Sequence, residues 1–135
     1  MLESIGEDIW TCFMPMRLFG LAFNSRMTII RLKNGRLWVH SPIKKTENLL
    51  TEIKALGDIQ YLIAPNLLHH LFIGDWKSEF PNAEILAPKG LSKKRPDLDI
   101  THELHNVESV DEIEICQILG MPQVNEYLFF HHKSQ

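Results

Sequence analysis

The chain has 135 residues, 44% of them hydrophobic, which is enough for one core and short for two, so 1–135 reads as a single domain. Seventeen acidic against fourteen basic residues give a formal charge of −3, which argues against a binder of nucleic acid or of an anionic membrane surface. Cys12 and Cys116 have no CxxC spacing and no apolar run reaches the roughly 20 residues of a bilayer span, so a soluble, cytoplasmic protein without a disulfide framework is expected.

In chain order, residues 8–23 (DIWTCFMPMRLFGLAF) are rich in strand formers but broken by Pro15 and Gly20, which predicts an edge strand or a bent hairpin. Met27 to Lys33 and Arg36 to His40 flank Asn34-Gly35, the strongest short-range hairpin cue, with Ile29, Leu37 and Val39 facing the core. Ser41-Pro42 ends that strand. Residues 46–57 (TENLLTEIKALG) then place Leu49, Leu50, Ile53 and Leu56 at helical spacing, with Thr46 as N-cap and Gly57 as the stop. Residues 59–64 (IQYLIA) form a short apolar strand of the kind buried on both faces, so a strand-helix-strand crossover is expected.

The stretch 62–81 (LIAPNLLHHLFIGDWKSEFP) carries that strand through Ala64-Pro65-Asn66 into a second helix, expected over 69–80, with Leu68, Leu71, Phe72 and Trp76 turned inward and Pro81 ending it. A further strand is expected over 83–87. Residues 88–99 read as a loop or single helical turn carrying Lys89, Lys93, Lys94 and Arg95, a solvated run or an anion clamp. Residues 100–111 show no firm periodicity, 112–119 alternate as a half-buried strand does, and 125–132 form the last strand. No GxSxG elbow and no phosphate-binding glycine loop is present.

The segments LWVHSPI, YLIAPNLLHHLFIGDW, FPNAEILAPKGL and KKRPDL resemble an uncharacterised domain-of-unknown-function family of the metallo-β-lactamase-like superfamily, and APN-x-x-HH is the most specific part of the likeness. The resemblance implies an α/β (α+β) fold, the αββα sandwich, present here as roughly its N-terminal half plus the first strands of the second half. It also implies a site at the end of the central strand. Active members carry His-x-His-x-Asp-His there and hold zinc. Laid on this chain, the first two histidines fall on Pro65 and Leu67, the aspartate on His69, and the last histidine on His70. The next histidine of the superfamily falls near residues 121–123, in the turn GMPQVNE.

The ligands that remain by this comparison are His69 and His70, with Asp75 or Glu126, and further off His40 or His105, as recruits to a zinc or other divalent metal. A catalytic zinc needs about three protein ligands and an open position, and two adjacent helical residues project about 100° apart. The expectation is therefore a degenerate domain without hydrolase activity and without a cofactor, no residue being assigned as catalytic, that serves as a binding or structural unit. In it His69 caps the helix and His70 packs on the core. The alternative is a metal-dependent hydrolase with a rearranged site built on His69 and His70. The paired histidines His131 and His132, like His102 and His105, read as solvated. Half a sandwich also leaves a sheet face uncovered, which predicts self-association as a two-fold dimer. Nothing in the sequence selects a small-molecule substrate.

Overall fold

Two reverse turns shape the first half of the computed structural model, which describes residues 1–120 and 125–134. At the first, Phe19 (φ 51°) and Gly20 (φ 78°) join strand β2 (Ile9–Leu18) to β3 (Leu21–Arg31) in a long hairpin. At the second, Gly35 takes φ 82° and Asn34 Oδ1 accepts the Arg36 N–H at 2.9 Å, turning β3 into β4 (Leu37–His40). The Asn-Gly hairpin lies where the sequence places it; of the two readings of residues 8–23 the hairpin is the one observed, and its second strand runs on through Met27 to Arg31 as one element. A short strand β1 (Glu3–Gly6), which the sequence does not announce, pairs with β2 only as far as Thr11. Pro15 therefore lies on an open edge, where its missing N–H breaks no ladder bond.

From β4 onward the chain crosses over in parallel. Helix α1 (Glu47–Leu56) starts at Thr46, whose Oγ1 accepts the Leu49 N–H at 3.2 Å, and ends at Gly57, where a Cβ would meet the Gly35 carbonyl oxygen at 2.6 Å. Strand β5 (Ile59–Ile63), helix α2 (Ile73–Glu79), strand β6 (Glu84–Ala87), the single turn α3 (Leu91–Lys94) and strand β7 (Ile100–Glu103) complete a seven-stranded sheet in the order β1-β2-β3-β4-β5-β6-β7. Its last four strands are parallel to one another. Strands β8 (Ser109–Val110), β9 (Ile113–Gln117) and β10 (Tyr127–His131) form a second, antiparallel sheet.

Two cores result. One side of the large sheet packs Ile29, Leu37, Val39 and Leu62 against Ile53 of α1 and Ile73 and Trp76 of α2, with Trp76 Nε1 donating to the Ile43 carbonyl at 2.7 Å. The other side packs Trp38, Ile63 and Leu86 against Ile113, Ile115 and Tyr127 of the small sheet. Among the described residues the layers are helices, large sheet and small sheet, in the order the αββα sandwich begins.

The second helix differs from expectation. It begins at Ile73, not at His69, because Asn66 Oδ1 accepts the N–H groups of both Leu68 and His69 at 2.8 Å and closes a turn that the helix would have to break. Leu68 and Leu71 are consequently exposed, and the inward side of α2 is Ile73 and Trp76, with Phe72 partly buried. His69 is not the cap of α2; the capping side chain in this corner is that of Asn66, and the turn it closes precedes the helix.

Candidate functional site

The carboxyl ends of β4, β5 and β6 meet at one edge of the large sheet, the edge at which open α/β sheets hold their ligands. His40 ends β4, Pro65 and Asn66 follow β5, and Pro88 and Lys89 follow β6. Over this edge lies the start of β10, where the Tyr127 N–H donates to the Pro65 carbonyl at 3.0 Å and Asn125 Nδ2 donates to the Lys89 carbonyl at 3.0 Å. Ser41 (φ 54°) and Asn125 (φ 47°) both take left-handed backbone here, and Asn tolerates that conformation better than Ser.

Asn66 is the buried centre of the corner. Its oxygen accepts the two N–H groups already named, and its Nδ2 donates to Glu126 Oε2 at 2.7 Å and lies 3.4 Å from His69 Nδ1. Every hydrogen-bonding capacity of this amide is thus directed at the chain itself. Asn66 was not among the residues the sequence singles out, although a strand ending in Ala-Pro-Asn is a recognisable turn signal.

The two adjacent histidines part company. His69 is exposed and turns toward Asn66 and His40. His70 is buried and turns the other way, where Arg95 Nη1 lies 3.1 Å from its Nδ1 and donates to its carbonyl at 3.1 Å. Asp97 fixes that guanidinium with two bonds of 3.0 and 2.8 Å. Burial, and then the positive charges of Arg95 and Lys94, hold the His70 pKa below its ordinary value. His40 is half-buried, its ring edge-on to Phe129 at 5.0 Å between centroids. Desolvation, and then repulsion from His69, push its pKa down to about 4, so at neutral pH it is an uncharged imidazole.

The other candidates, Glu126 excepted, lie apart from this corner. Asp75 is exposed on α2 and contributes to the field around Arg95. Glu126 is at the corner but engaged with Asn66. His105 is exposed on the turn after β7, and His102 pairs with Glu84 at 3.4 Å. His131 and His132 are not simply solvated: burial lowers the His131 pKa, and His132 Nε2 lies 3.1 Å from Glu114 Oε2. The expected ligand turn at 121–123 falls outside the described residues. Lys94, from the basic run, donates to the Leu67 carbonyl at 2.8 Å, which fastens α3 to the corner.

Among the described residues, the side chains at this corner do not present a ready donor set for a zinc ion. The group nearest both His69 and Glu126 is an amide NH2, a donor that a cation would have to displace, and the group nearest His70 is a guanidinium. Among the described residues no three His, Cys, Asp or Glu side chains are grouped to hold a metal ion. A separate cavity of about 360 Å³ opens at the opposite end of β4, between Asp8, Arg31, Lys33, Asp111, His131 and Lys133, but its charges largely pair with one another.

Residues 6–92 match the family described as Domain of unknown function (DUF4336). The chain belongs to that family. The DUF4336 match spans the hairpins, α1, the corner and β6. Solved structures add the fold: DIM-1 metallo-β-lactamase superposes with a TM-score of 0.75 at 16% identity, over 97% of this chain and 64% of that one. A metallo-β-lactamase from Hirschia baltica gives 0.67 at 12% identity, over 98% and 66%. The metallo-β-lactamase FIM-1 from Pseudomonas aeruginosa, in a mono-zinc form, gives 0.56 at 10% identity, over 84% and 53%. The chain thus spans less than two thirds of the length of these structures. The comparison with curated proteins gave no match. Among the described residues no helix is long and apolar enough to cross a membrane.

Proposed function

We propose that this DUF4336 chain uses the metallo-β-lactamase-like frame as a non-hydrolytic binding or structural unit that works as a homodimer. The observation that carries the reading is Asn66: its four polar contacts tie the corner to the small sheet through Glu126, and among the described residues no three metal-ligating side chains are grouped there. Pro65 and Leu67, standing at the superfamily's first two ligand positions, support the same reading. Self-association is supported by the outer face of the small sheet, where Leu128 and Phe130 are 58% and 51% exposed.

A second reading, a metal-dependent hydrolase, is favoured by one feature, the neutral His40 beside His69. Metal analysis of protein purified without chelator separates the two, using the wild type, a His69→Ala/His70→Ala variant and a His40→Ala variant. The binding-unit reading expects no stoichiometric metal in any of them. Stoichiometric zinc, iron or manganese that disappears in the variants would sink it. Sedimentation at micromolar concentration tests the dimer, and a stable monomer counts against it.

A further inference from the structure

The first hairpin outruns the sheet it belongs to. Strand β1 pairs with β2 only through Thr11, and β4 pairs with β3 only down to Thr28, so from Phe13 to Arg26 the ribbon has no third strand on either edge among the described residues. Because β3 and β4 are antiparallel with Thr28 opposite His40, this free ribbon extends past the carboxyl ends of the parallel strands. Its apex is Phe19, 96% exposed and held at φ 51°, a conformation that costs an ordinary residue on the order of 1 kcal/mol and that glycine or asparagine would adopt more easily. Leu21 is 72% exposed beside it, and Phe13 is 46% exposed with the Arg26 guanidinium 4.5 Å from its ring centroid. Open edges and bare aromatic side chains are what folded proteins ordinarily avoid unless something covers them.

Charge says what covers them. Between Asp8 and Glu47 the sequence has no acidic residue and seven of its fourteen basic ones, Arg17 and Arg26 of the ribbon among them. Between Arg95 and Lys133 it has no lysine or arginine and eight of its seventeen acidic residues, Glu114 of β9 and Glu108 and Glu112 on either side of β8 among them. The outer face of that sheet is apolar as well: Leu128 pairs across the strands with Cys116, and Phe130 with Glu114. A chain of net charge −3 therefore carries a basic apolar ribbon and an acidic apolar face of matching chemistry.

We propose that the ribbon of one copy, through Phe13, Phe19, Leu21, Arg17 and Arg26, lies across the outer face of the small sheet of a second copy, on Leu128, Phe130 and Glu114. In a two-fold dimer the contact occurs twice, each copy giving a ribbon and receiving one. This deepens the homodimer reading above and rests on it.

Sedimentation of the full chain tests the contact. Phe19→Asp/Leu21→Asp in the ribbon and Leu128→Lys/Phe130→Lys on the face should each weaken dimerisation tenfold or more, roughly the effect of misplaced charge at an interface. All four residues are exposed, and circular dichroism checks that each variant folds. An equimolar mixture of the two variants should regain association, because the mixed pair keeps one intact ribbon on one intact face. Arg17→Glu/Arg26→Glu combined with Glu114→Arg should associate better than either change alone. A dimer indifferent to all these substitutions overturns this interface and leaves self-association standing; a wild-type monomer overturns both. A monomer that binds phosphatidylserine vesicles through Phe19 also overturns the proposal, in favour of a lipid surface.

Discussion

The two faces of the seven-stranded sheet are covered by different means. On one face the helices bring fully buried apolar side chains, Ile53, Ile73 and Trp76, against the sheet, and the indole N–H of Trp76 is satisfied by Ile43. On the other face the small sheet covers a thinner core in which the Trp38 Nε1 and the Tyr127 hydroxyl are buried with no hydrogen-bond partner among the described residues. That face is held by polar ties at its rims: Asn66 to Glu126, the Lys33 N–H to Asp111, and Lys133 to Asp8. The difference teaches that the helical side supplies stability, while the small-sheet side supplies position and fixes what stands over the corner.

Substitutions should separate these roles. Trp76→Ala should destabilise the most, by about 3–5 kcal/mol in denaturant unfolding, since it empties a fully buried site and strands the Ile43 carbonyl. Acid should act next, through the other face. Unfolded His40 protonates near pH 6.5 whereas the folded residue does so at about 4, so the unfolded state takes up the proton first. Stability is therefore full above about 6.5 and falls as pH drops through that window, by at most about 3 kcal/mol from this residue. His70 and His131 are shifted in the same direction. His40→Phe should flatten the dependence between pH 6.5 and 4, and an unchanged slope would refute the assignment.

Asn66→Ala should cost about 1–3 kcal/mol, because it strands two backbone N–H groups and unties Glu126, while Glu126→Gln should cost less than about 1. If the comparison is right, Asn66→Ala should also raise hydrogen exchange in β10 more than in α1. Lys133→Ala should matter least: its pairs with Asp8 (2.6 Å) and Glu7 (3.4 Å) are solvated, and any change in midpoint should vanish at high salt.

What the sequence made legible follows the same division. Helix α1 was written in full, with a cap, a stripe at helical spacing and a glycine stop, because each signal acts within a turn or two. The Asn-Gly hairpin and the parallel crossovers were legible for the same reason. The corner was legible in place and not in content. Leu68 and Leu71 fit a helical stripe, but the local competition was decided by the side chain of Asn66. The partner of Glu126 lies 60 residues away, and no spacing rule announces it. Arg95 looked like one member of a solvated basic run, yet Asp97 and His70 hold it partly buried.

The ties that hold the small sheet on the large one, at the corner and at the opposite rim, also have a bearing on time. The Asn66–Glu126 bond joins residues 60 apart, and the Lys133–Asp8 pair joins residues 125 apart, whereas the hairpins and crossovers of the large sheet join neighbours. Distant contacts return their energy only after the long loop is closed, so the local elements should consolidate first and the small sheet last. On a ribosome the corner can be completed only once Glu126 has emerged. Until then the large sheet face bearing Trp38 and Ile63 is bare, and it is in that interval that the chain is most exposed to aggregation.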